Sequence, residues 1–150
     1  MSSASFSPLT RTAIKATLHC LTGCAIGEVL GMVIATAANF SNALSIGISV
    51  ALAFVFGYSF TFIPVVRAGI TARRAVAVTL AADTVSIATM ELTDNAGLLF
   101  IPGALDATLS DILFWASLAA TLLVAFVVTV PVNRALIARG KGHAIAHQAH

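Results

Sequence analysis

The sequence predicts an all-α protein: an integral membrane four-helix bundle with its N-terminus and C-terminus in the cytoplasm. Three observations carry that prediction. Hydrophobic residues make up 59% of the 150-residue chain and charged residues 9%, with a mean hydropathy of +0.99, whereas ordinary soluble domains carry about 25% charged residues. Four apolar stretches are each long enough to cross a bilayer, which takes about 20 helical residues for a hydrocarbon core of ~30 Å. All eight basic residues also fall on one side of those stretches.

Residues 1–16 form a cytoplasmic N-terminal segment, polar and small up to Thr12, with Arg11 and Lys15 near its end. It lacks the basic start, apolar middle and small-residue cleavage site of a signal peptide, so the first apolar segment is expected to be retained. The transmembrane domain covers residues 17–138. Its spans run from about Thr17 to Ala38, Leu44 to Val66, Ala75 to Phe100 and Leu109 to Asn133. Turn residues separate them at Asn39 to Asn42, Arg67 to Gly69 and Pro102-Gly103. Residues 139–150 form a His-containing cytoplasmic tail. Arg67, Arg73 and Arg74 occupy the second connection, and Arg134, Arg139 and Lys141 follow the fourth span, while the first and third connections hold no basic residue. Positively charged loops stay inside, so this asymmetry sets the orientation and locates the protein in the cell (inner) membrane. Trp115 fits an interfacial anchor at the outer end of the fourth span, and Pro64 and Pro131 sit near cytoplasmic helix ends. The lipid bilayer is the first partner. A net charge of +2 with scattered basic residues excludes a nucleic-acid surface.

Four of the six carboxylates lie inside apolar spans: Glu28 in the first, and Asp83, Glu91 and Asp94 in the third. An aspartate facing lipid at mid-membrane costs about 2.5 to 3.5 kcal/mol, so these groups are expected to face inward. No lysine or arginine shares their depth, which leaves protonation, hydrogen bonding or a bound cation to neutralise them. On a helix, Asp83, Met90 and Asp94 project within about 40° of one another, with Ser86 on one flank and Glu91 and Asn95 on the other. A purely structural polar seam accounts for Ser86 and Asn95 alone; three acids together favour a cation or proton relay through Asp83, Ser86, Asn95 and Tyr58. Tyr58 could reach a buried carboxylate, although a backbone carbonyl is its commoner partner.

The first span stacks Cys20, Cys24 and Glu28 on one face. Gly23, Gly27 and Gly31 run beside them, a small-residue pattern that admits close approach by a helix of the same subunit or of a partner. Thiolate and imidazole suit soft or borderline ions, and a thioether suits Cu(I). Cys20, Cys24, Glu28, Met90, Glu91, Asp94 and, about 100° away from Cys20, His19 are therefore the candidate ligands. The alternative for each cysteine is that of a small hydrophobe in a helix interior. His143, His147 and His150 are spaced to share a metal on a helical tail, or else belong to a plain polar end. A transition metal ion, copper or zinc, is the cofactor or cargo implied.

Several residue runs resemble a prokaryotic family of small membrane proteins catalogued as a domain of unknown function. They are His19-Cys20 with Cys24 and Glu28, Phe56-Gly57-Tyr58, Asp83 with Met90-Glu91 and Asp94-Asn95, Pro102-Gly103-Ala104, Pro131 to Arg134, and Arg139 to Ala144. The likeness extends from about Thr17 to His147. It implies a single four-helix domain, brings no catalytic role, and places Arg139 to His143 with the domain.

The expected function is to bind or conduct cations, with Cu(I) or Zn(II) foremost and a carboxylate relay beside the sulfurs. Counted from the basic flanks, Cys20 lies near the cytoplasmic end and Asp94 toward the outside, so the residues mark a path more than one coordination sphere. The alternatives are a membrane redox or electron-transfer subunit using Cys20 and Cys24, and a non-catalytic structural subunit. The chain reads as a carrier or channel before an enzyme, since it has no phosphate loop, nucleophile elbow, His-Glu-x-x-His helix or CxxC pair. Short spans enclose a narrow interior, which makes a homo-oligomer an expectation.

Overall fold

The computed structural model describes residues 6–139. Within them the chain forms α1 (Pro8–Ala37), α2 (Asn42–Arg67), α3 (Ala72–Leu99) and α4 (Ile112–Ala138), with a single 3-10 turn at Ala104–Asp106 between α3 and α4. All four helices are long and apolar enough to cross a membrane. The tail histidines His143, His147 and His150 lie outside the described residues.

Helix ends differ from the apolar spans where capping chemistry overrides hydropathy. α1 starts upstream of Thr17 because the Ser7 hydroxyl accepts from the Thr10 amide at 3.3 Å and Pro8 takes the first helical position. Much of the polar N-terminal segment is thus the first two turns of α1. α4 starts later than Leu109. Asp111 Oδ2 instead accepts from the Thr108 amide at 2.7 Å and its hydroxyl at 3.0 Å, holding residues 108–111 as a turn. Pro64 and Pro131 are accommodated inside α2 and α4. Asn39 (φ 54°) and Gly69 (φ 91°) adopt the left-handed backbone that follows helix ends and reverses the chain.

Short turns make α1 and α2 antiparallel neighbours, and their contact is set by glycine. A Cβ at Gly23 would lie 2.9 Å from the Gly57 backbone; one at Gly27 would strike the Ala53 backbone, and one at Gly31 would strike Ser49. The glycine face therefore serves α2 of the same chain. α1 also packs on α4, α3 packs on α2 and α4, and α1 and α3 meet across the bundle diagonal. The two acid-bearing helices thus face each other through the interior. Cys20, Cys24, Ala53, Ile87, Met90 and Ala125 form the central apolar cluster. Val65, Ala75, Val78 and Ala82 close one end between α2 and α3, and Phe114, Leu118 and Leu122 pack against α1 toward the other. Leu18, Val33, Val55, Leu80, Leu92, Leu123 and Val127 point outward, giving the bundle an apolar exterior suited to lipid.

The two ends differ in charge. Arg11, Lys15, Arg67, Arg73, Arg74, Arg134 and Arg139 flank one end, where the Arg134 guanidinium donates to the Thr10 hydroxyl at 3.2 Å. Asp106 and Asp111 lie at the other, where the Asn42 amide donates to Asp106 Oδ1 at 2.9 Å and ties the start of α2 to the 3-10 turn.

Candidate functional site

A hydroxyl inside a helix ordinarily satisfies itself on the carbonyl one turn back. Thr17, Thr84, Thr89, Thr93, Ser117 and Thr121 all do so, at 2.6 to 2.9 Å. Carboxylates cannot, because a helix offers no free donor in its interior. All four membrane-depth acids are nonetheless buried: Glu28 is 8% exposed, Asp83 2%, Glu91 4% and Asp94 0%. The inward-facing stripe expected from helical spacing is present, with Ser86 and Met90 fully buried on it.

Three of the acids come near one another without converging as a group that could hold a metal ion. Glu28 from α1 lies against both Glu91 and Asp94 of α3, and Asp94 also faces the Thr121 hydroxyl of α4. Oε1 of Glu28, Oε1 of Glu91 and both oxygens of Asp94 find no hydrogen-bond partner in this arrangement. Asn95 steadies the group, its amide donating to the Glu91 carbonyl at 2.8 Å and reaching Glu91 Oε2 at 3.5 Å. Asp83 lies eight residues before Glu91, about 12 Å nearer the basic end.

The sulfurs follow on the inner side. Cys24 lies against Glu91, and Cys20 Sγ and Cys24 Sγ are 4.0 Å apart, both as free thiols. Met90 shares their apolar cluster. The thiols therefore have the surroundings of small hydrophobes on most sides and a carboxylate on one. His19 turns away toward α2, where its ring meets Phe60 edge-on with centroids 5.5 Å apart. Tyr58 shares a hydrogen bond with the Thr84 hydroxyl at 2.9 Å instead of reaching a carboxylate. Among the described residues, no three of His, Cys, Asp and Glu converge as a group that could hold a metal ion.

Two features were not read from the sequence. One is a vestibule of about 240 Å³ at the acidic end, lined by Asn42, Ser49, Asn95, Asp106 and Ser117, with Glu28 also in its wall. The 3-10 turn and the α1–α2 turn build it, and no helical periodicity announces either. The other is a stripe on α4, Ser117, Thr121, Ala125, Thr129 and Asn133, every member buried. Its spacing of four residues was legible in principle. Asn133 donates to the Thr17 hydroxyl at 2.9 Å, while Asn133 Oδ1 and the hydroxyls of Thr129, Ser86 and Thr79 have no hydrogen-bond partner. The contacts of Gly57 with Ile87 and of Gly97 with Thr121 set the register between helices. In that register Ser86 and Thr129 stand at similar depth, inward of the three acids.

From the acidic end the interior therefore presents the vestibule, then Glu28, Glu91 and Asp94, then Cys20 and Cys24 with Ser86 and Thr129 at about their depth, and Asn133 with Thr17 toward the basic end. No curated protein and no solved structure matches the chain. A family model described as a domain of unknown function, DUF4396, matches residues 10–142, and the chain belongs to that family.

Proposed function

We propose that this membrane protein binds and passes a cation through its bundle, with the vestibule as the entrance and Glu28, Glu91 and Asp94 as the first binding layer. The observation that carries this reading is the approach of three buried carboxylates on two helices behind a vestibule, with no lysine or arginine at their depth. Placing that much negative charge in a low-dielectric interior is costly unless a proton or a positive guest compensates it. Cys24, Met90 and Cys20 come next, and their softness favours a transition metal, Cu(I) before Zn(II). The donors are strung along the axis, so the ion is handed from one layer to the next and held by few ligands at a time. Under the positive-inside rule the basic end is cytoplasmic and entry is from outside.

The test is metal uptake into proteoliposomes of purified protein, for Cu(I) and Zn(II) in parallel. The original chain takes up one of them; Glu28→Gln and Asp94→Asn insert normally and lose at least tenfold in rate. Cys20→Ala/Cys24→Ala selectively loses Cu(I). Uptake that survives every carboxylate replacement makes the acids structural. Reversible thiol titration with no retained or transported metal moves the cysteines to redox work.

A further inference from the structure

The vestibule is shaped for more than a bare ion. Its volume of about 240 Å³ is several times the ~30 Å³ share of one water molecule. Met32, Ile46, Leu98 and Phe114 make much of its wall apolar. An inorganic cation gains nothing from such walls, because it exchanges hydration for oxygen or sulfur ligands. The charged members of the lining are Glu28 and Asp106, and no lysine, arginine or histidine belongs to it. Glu28 is more than nine-tenths buried, lies in the lining, and has Oε1 without a hydrogen-bond partner.

We infer that the vestibule is a binding site for a small organic monocation, an alkylammonium whose charged head sits on Glu28 and whose apolar part lies between Ile46, Leu98 and Phe114. An ammonium head carries three donors and no acceptor, which matches the Glu28 carboxylate with the Asn95 and Ser49 side chains in the same lining. The chain beyond the head displaces water from apolar wall and contributes through burial. Asp106 at the mouth adds attraction without burial, and its bond to Asn42 holds the rim in place. This inference rests on the vestibule being an entry for positive charge; it is independent of which ion goes on to the sulfurs.

The experiment is calorimetric titration of the protein in lipid nanodiscs with n-butylammonium, with n-butanol as the uncharged counterpart and K⁺ as competitor. Butylammonium binds saturably, butanol binds at least tenfold more weakly, and equimolar K⁺ does not displace the ligand. Glu28→Gln weakens binding at least tenfold. Ile46→Trp, which fills the cavity and leaves every carboxylate in place, does the same while keeping the thermal melt of the parent. Equal binding of butanol, full displacement by K⁺, or unchanged affinity in both variants would overturn the proposal. Metal uptake is measured separately in proteoliposomes. Glu28-dependent butylammonium binding without metal uptake sinks only the metal reading, and uptake without butylammonium binding sinks only this one.

Discussion

Glu28 shows how one side chain gathers its meaning from neighbours on other helices. Alone on α1 it is a costly carboxylate in an apolar stretch; near Glu91 and Asp94 it becomes part of a buried group of carboxyls drawn from two helices. The glycines near it make the opposite point, since what they contribute is the absence of a side chain. Gly27→Ala drives a methyl into the Ala53 backbone, which cannot yield without parting α1 from α2. The expected loss is about 1 to 3 kcal/mol, the usual range for overpacking, measured by unfolding in mixed micelles. Gly47 has nothing within 4 Å of its Cβ direction, so Gly47→Ala is expected to stabilise by about 0.5 to 1 kcal/mol through helix propensity. Equal effects at the two positions would refute the close-contact account. The spacing of Gly23, Gly27 and Gly31 was legible in the sequence because helical periodicity alone puts them on one face. Their partner was not, because any helix presenting small residues satisfies such a face, and the choice fell to Gly57, Ala53 and Ser49 on α2. For His19 and Tyr58 spacing likewise gave only a direction around one axis, His19 about 100° from Cys20, and it took the packing to show that Phe60 and Thr84 stand in those directions.

At the level of elements, hydrogen bonds between helices fix how the bundle closes. Asn133 on α4 and Thr17 on α1 are fully buried and joined at 2.9 Å. A double-mutant cycle of Asn133→Ala and Thr17→Val is expected to give a coupling of about 0.6 kcal/mol, reaching at most about 1.7, as for other interhelical bonds in membranes. Zero coupling would mean the pair is incidental. The entry to α4 is pH-sensitive instead. The backbone and side-chain donors of Thr108 hold the Asp111 carboxyl below its ordinary range. A depressed carboxyl stabilises at pH above its unfolded value and loses that contribution as the pH falls through the folded one. The turn before α4 should therefore loosen only below about pH 4, and the Thr108 amide resonance should titrate there. Asp111→Asn removes the titration, and a transition near neutrality in the parent would contradict the assignment. Hydropathy placed the start of this helix at Leu109 because it weighs apolarity alone, whereas the turn is decided by one carboxylate and two donors.

For the whole molecule, the charge division predicts a single orientation. With Cys20 and Cys24 buried, a cysteine introduced at Thr108 should react with a membrane-impermeant maleimide on intact cells. One at Arg73 should react only after lysis. The reverse pattern would put the vestibule on the cytoplasmic side and turn the proposed direction of entry around.

The sequence by itself determined that the chain crosses a membrane as four helices, which face of α1 and α3 is polar, and which end is basic. Each follows from local rules: backbone bonds must close within a segment in lipid, side chains recur every 3.6 residues, and charge is counted along the chain. Only the tertiary structure decided that α1 and α3 meet across the diagonal, that Glu28 joins Glu91 and Asp94 while His19 turns to Phe60, and that a vestibule reaches Glu28. Those outcomes depend on which helices pack together and how closely, a choice made by van der Waals fit between surfaces distant in sequence. No single segment carries that information.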